Sequence, residues 1–90
     1  MAKALLIKND RNYNLAKAAE ELQELALAIT QQLNKPEKDL SQEIIDEIGD
    51  VKIRMQVLEL LFPTDQIEKR VQHKIAKFTE YIKKDKFNHI

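Results

Sequence analysis

Ninety residues, with fifteen basic side chains, fifteen acidic ones and no cysteine, make one small domain of zero formal net charge. The missing cysteines exclude a disulfide framework, a thiolate metal site and a thiol nucleophile. No apolar run is long enough to span a bilayer, and the patch Ala4 to Ile7 is too brief for a secretory leader. The expectation is a soluble, cytoplasmic protein with no membrane partner. A single Gly, two Pro and a charged third of the chain form a helix-favouring mixture. A domain this small buries a limited fraction of its surface, so oligomerisation is expected before any motif is read.

The charge is unevenly spread. Residues 1–18 hold four basic and one acidic residue, a net +3, and residues 19–50 hold two basic and nine acidic, a net −7. Residues 51–65 balance, and residues 66–90 hold seven basic and three acidic, a net +4. A nucleic-acid binder shows a coherent basic excess, which this chain lacks, so no nucleic-acid partner is expected.

Residues 9–14, Asn-Asp-Arg-Asn-Tyr-Asn, are rich in cap types. Asn12 or Asn14 is expected to start a helix over residues 14–33, with a short turn or arm (residues 1–13) before it. Leu15, Ala18, Leu22, Leu25, Ile29 and Leu33 recur at helical spacing. Pro36 ends this helix. Asp39 and Gln42 fit a loose capping box, and a second helix is expected over residues 40–61. It carries two apolar stripes, Val51-Met55-Leu58-Phe62 and Ile53-Val57-Leu60. A helix apolar on two sides is covered on two sides. The second stripe points to a subunit interface; the alternative is cover by Leu5, Leu6 and Ile7 of the same chain. Pro63 breaks the chain, and Thr64 is placed to cap a third helix over residues 65–84. Its stripe is Ile67, Val71, Ile75, Phe78 and Ile82, and Arg70, Lys74 and Lys77 form a basic line beside it. A frayed basic tail, 84–90, is expected beyond. The fold expected is all-α, a single domain of three main helices in an antiparallel bundle, completed by homo-oligomerisation as a dimer or tetramer.

The acids form two sets. Glu20, Glu21 and Glu24 lie on the first helix; Glu43, Glu47 and Asp50 share one face of the second. Like charges at this spacing repel, so a positive partner is needed unless the acids lie wholly in solvent. A short Pro-containing loop makes the two helices antiparallel neighbours. Counting from the loop at 1.5 Å per residue sets Glu24 and Glu47 at similar heights. Four carboxylates converging from two helices are a way to build a metal site in a bundle, and Mg²⁺ is held by carboxylate oxygens with water and phosphate completing its shell.

Glu21-x-x-Glu24, twenty-two intervening residues (25–46), then Glu47-x-x-Asp50 resembles the signature of the MazG-like all-α nucleoside triphosphate pyrophosphohydrolases. The flanking Ala19-Glu20-Glu21-Leu22-Gln23-Glu24-Leu25 and Glu47-Ile48-Gly49-Asp50-Val51 also match, and the likeness covers residues 14–62. The resemblance implies Mg²⁺-dependent cleavage of an NTP or dNTP between the α- and β-phosphates, with Mn²⁺ as an alternative ion. It makes Glu21, Glu24, Glu47 and Asp50 metal ligands. Glu24 or Glu47 would accept the proton of the attacking water. Glu20 and Glu43 are read as supporting the ligands from outside the metal's own contacts. Arg54, Arg70, Lys74 and Lys77 are read as phosphate-binding, Arg54 with the alternative of pairing with Asp50. His73 and His89 read as ordinary surface histidines. The competing reading is a non-catalytic oligomeric interaction protein, or one that binds nucleotide without cleaving it.

Overall fold

The computed structural model describes the backbone of residues 1–88 and the side chains of residues 1–84. It has four helices and, among the described residues, no strand: α1 (Ala2–Lys8), α2 (Arg11–Asn34), α3 (Ser41–Leu61) and α4 (Thr64–Asn88). The class is the expected all-α. The count is four rather than three because the N-terminal arm is itself a helix of seven residues. No helix is long and apolar enough to cross a membrane. The helical backbone of α4 continues to Asn88, where the composition predicts fraying; His89 and Ile90, at the end of that predicted tail, lie outside the described residues.

Helix α2 starts earlier than the expected Asn12 or Asn14, because Asp10 is the cap. Its Oδ1 accepts the Tyr13 N–H at 2.7 Å, satisfying an orphan donor of the first turn. Asn14 is instead buried, and its Nδ2 donates to the carbonyls of Asn9 (3.3 Å) and Asp10 (3.1 Å). It ties the α1–α2 link to the body of α2. The α2–α3 loop has its own staple. Gln32 Nε2 donates to the carbonyl of Lys38 at 2.6 Å, while Gln32 Oε1 accepts the Leu40 N–H at 2.8 Å. Asp39 accepts from the backbone and hydroxyl of Ser41, closing a turn at the start of α3.

The main packing is the α2–α3 pair; α1 lies mostly against α3, and α4 meets α3 alone. Only Ala18, Ala28 and Val57 are buried apolar residues among those described. The small side chains of Ala18 and Ala28 let the helices approach closely. Each predicted stripe splits in two. On α2 the inner line is Asn14, Ala18, Glu21, Leu25 and Ala28, while Leu22, Ile29 and Leu33 are exposed. On α3, Glu47, Val51, Arg54 and Leu58 are covered, while Ile48, Met55 and Phe62 are exposed. The second stripe of α3 does not by itself require another subunit. Helix α1 packs on α3 with Leu5 and Leu6 half-buried, and Val57 is fully buried, leaving Ile53 and Leu60 partly exposed.

Two substitutions test these local assignments. Asp10→Ala, which removes a helix cap, should cost about 1 kcal/mol. Gln32→Ala, which leaves the partly buried Leu40 N–H without a partner, should cost about 1–3 kcal/mol. Urea titration followed by far-UV circular dichroism measures both.

Candidate metal centre

The α2–α3 pair brings three acids together. Glu21 from α2 and Glu47 and Asp50 from α3 each place one carboxylate oxygen within 4.8 Å of the others. The i,i+3 spacing sets Glu47 and Asp50 on one side of α3, and the antiparallel pairing puts Glu21 opposite them. Glu21 and Glu47 are half-buried and Asp50 is exposed. Oε2 of Glu21 and Oε2 of Glu47 are shut away from solvent without a hydrogen-bond partner.

The donor set fits a hard divalent cation. Oxygens around Mg²⁺ at about 2.1 Å stand at most about 4.2 Å apart, so a spread within 4.8 Å needs only a small side-chain adjustment. Two orphaned carboxylate oxygens are the acceptors that such an ion satisfies.

Glu24 does not belong to the convergent three. It is exposed one turn beyond Glu21, and its charge there helps raise the Glu21 carboxyl. Glu20 is drawn outward by Lys17, whose Nζ lies 3.2 Å from its Oε2. That hydrogen bond holds the Lys17 ammonium above its ordinary range. Glu43 is exposed in the first turn of α3, where its charge complements the helix dipole, and it stands outside the convergent set.

The basic residues divide. Arg54 lies one turn beyond Asp50, half-buried, with Nη1 enclosed and unpartnered. The alternative pairing with Asp50 is not formed, since Lys17–Glu20 is the one ion pair among the described residues. Arg70, Lys74 and Lys77 are exposed on α4, which makes no approach to α2, and within one chain no ion pair joins them to the acids. A surface depression lined by Asp65, Gln66, Lys69, Arg70 and His73 runs along α4, away from the three acids in sequence and element.

Sequence reasoning missed the burial of Asn14. Its signal was a polar residue four positions before Ala18 and seven before Glu21, on the inner line of α2. Its Oδ1 is enclosed and unpartnered too. No family model, curated protein or solved structure matches this chain.

The Glu21 carboxyl titrates above its ordinary value. Burial is the largest cause, followed by repulsion from Glu24, Asp50 and Glu20 and by proton sharing with Glu24. A raised folded-state value means that the fold holds this proton more tightly than the unfolded chain does. The stabilisation is complete below the unfolded value and is lost as pH rises through the folded one. In metal-free protein at pH 7, Glu21→Gln should therefore raise stability by roughly 0.3–0.5 kcal/mol, the scale of one relieved like-charge helix pair. The advantage over wild type should shrink as pH falls towards the ordinary glutamate value of 4.5. Urea melts in EDTA at several pH values measure it, and a destabilised variant at pH 7 contradicts it.

Proposed function

We propose that this chain is a MazG-like, Mg²⁺-dependent nucleoside triphosphate pyrophosphohydrolase that converts an NTP or dNTP to its monophosphate and pyrophosphate. The observation that carries the reading is the meeting of Glu21, Glu47 and Asp50 from two helices, with oxygens within 4.8 Å and two of the carboxylates holding an enclosed, unpartnered oxygen. Glu21, Glu47 and Asp50 would hold the ion, with Glu24 joining from one turn away. A bound Mg²⁺ neutralises phosphate charge and makes water a better nucleophile at neutral pH.

The chain's own groups have separable tasks. Glu47 is tethered at the seam by its half-buried position and suits the role of proton acceptor for the attacking water; Glu24, exposed beside the cluster, is the other candidate. The water oxygen bonds to the α-phosphorus, its proton passes to the carboxylate, and the bond to the α–β bridging oxygen breaks. Arg54 lies one turn beyond Asp50 on α3, half-buried. Its enclosed guanidinium nitrogen lacks an acceptor, which a phosphate oxygen supplies. Arg70, Lys74 and Lys77 belong to this reading only where α4 reaches a site.

A second reading, a homo-oligomeric interaction or nucleotide-binding protein without catalysis, draws on the exposed apolar residues Leu22, Ile29, Ile48 and Ile75. One assay separates the two. Pyrophosphate release should be measured on a panel of NTPs and dNTPs with Mg²⁺, with EDTA, and with Glu47→Gln. The enzymatic reading expects turnover on at least one nucleotide, abolished by EDTA and lowered about 100-fold or more by Glu47→Gln. Turnover on none, or full turnover by the variant, removes it.

A further inference from the structure

Four side-chain atoms among the described residues are enclosed without a hydrogen-bond partner: Asn14 Oδ1, Glu21 Oε2, Glu47 Oε2 and Arg54 Nη1. All four belong to the covered lines of α2 and α3. A cation at the seam accounts for the two glutamate oxygens. It leaves an acceptor on Asn14 and a donor on Arg54, and each is the other's chemical complement.

Register brings these two residues together. Glu21 meets Glu47 across the seam, and the two helices run antiparallel. Two turns before Glu21 on α2 is Asn14, and two turns after Glu47 on α3 is Arg54. They therefore stand at one level, on lines that face each other. Packed helices lie about 8–10 Å apart, a gap that an arginine and an asparagine side chain span together. The positive charge of Arg54 also acts on the Lys17 ammonium, one turn after Asn14 on α2.

The two side chains differ in freedom. Asn14 is 1% exposed, and its Nδ2 donates to the carbonyls of Asn9 and Asp10. Two carbonyl partners fix which amide atom is the nitrogen, so Oδ1 is an acceptor held in a set direction. Arg54 has a long stem with many rotamers and five N–H donors in a planar fork. Ordering such a side chain at the moment of binding costs affinity. An acceptor that orders it beforehand removes that cost.

We propose that Asn14 is a positioning residue for Arg54: its Oδ1 takes one N–H of Arg54 Nη1 and aims the remaining donors of the guanidinium at phosphate oxygens held at the metal centre. A rotation of the Arg54 side chain closes the bond, while the amide stays where its backbone partners hold it. Nη1 has a second N–H, so bonding to Asn14 does not use up the donor that a phosphate needs. Asp50 and Arg54 are about 6 Å apart along α3, within the length of a triphosphate. The anion-binding half rests on the pyrophosphohydrolase reading; the pairing of Asn14 with Arg54 does not.

Two measurements on the full chain test the halves separately. Guanidinium NMR of the metal-free protein reads the pairing, with the Arg54 signals assigned by their loss in Arg54→Lys. Resolved, slowly rotating Nη protons are expected in wild type and in Asn14→Asp, which keeps an acceptor, and averaged signals in Asn14→Leu. Calorimetry with pyrophosphate and Mg²⁺ reads the anion half through a double-mutant cycle. Asn14→Leu should weaken pyrophosphate binding about tenfold or more, the scale of one hydrogen bond to a charged group. In the Arg54→Met background the same change should cost less than about twofold, because the cycle cancels what the lost Nδ2 bonds cost the fold. Averaged Arg54 signals in wild type overturn the proposal, and the wild-type and Asn14→Asp spectra decide this even where Asn14→Leu does not fold. Wild type that binds no pyrophosphate overturns it as well, as does an equal loss of affinity in both backgrounds. Resolved signals with pyrophosphate bound but no nucleotide turned over support this pairing and remove the catalytic reading alone.

Discussion

Mutual repulsion among carboxylates at the α2–α3 seam is the constraint on which the rest of this molecule turns. Glu21, Glu47 and Asp50 are held together by the packing of two helices, and Glu24 and Glu20 add to the same field. The raised proton affinity of Glu21 expresses its burial first and, after that, repulsion from Glu24, Asp50 and Glu20. Burying a polar atom without a partner costs about 1–3 kcal/mol, and Glu21 and Glu47 each carry one such atom. A cation with hard-oxygen preference turns the same groups from a destabilising cluster into a set of ligands. Local structure is built around that placement. The Gln32 staple holds the α2–α3 loop, and the loop sets the register that puts Glu21 across from Glu47 and Asp50.

This arrangement rests on a very small core. Ala18, Ala28 and Val57 are the buried apolar residues among those described, and the inner line of α2 gives two of its positions to Asn14 and Glu21. Apolar material is present in quantity but faces outward, on Leu22, Ile29, Ile48 and along α4. Binding energy from outside the chain would add to folding stability through mass action. The three convergent acids and the buried apolar residues draw on the same two helices.

Much of this was legible in the sequence. The 3.6-residue periodicity identified the three long helices, the Pro36 and Pro63 breaks set their ends within a few residues, and the acid spacing singled out Glu21, Glu24, Glu47 and Asp50, of which Glu21, Glu47 and Asp50 converge. Capping was less legible, because residues 9–14 offer several candidates; Asp10 prevails by the Tyr13 hydrogen bond while Asn14 is buried. Periodicity also cannot say which of two adjacent apolar lines faces inward. Ala18 and Ala28 take the inner line because small side chains permit close helix approach, and Leu22 and Ile29 are left outside. The placement of α4 escaped the sequence for a related reason. Its stripe announces that something covers it, but an amphipathic pattern carries no record of whether the cover comes from the same chain.

The most direct measurement of the central claim is a Mn²⁺ anomalous difference map from crystals of this protein grown or soaked with the ion. The account predicts a peak between α2 and α3 within coordination distance of oxygens from Glu21, Glu47 and Asp50. Peaks confined to other acids, or none at the seam at full Mn²⁺ saturation, would contradict it.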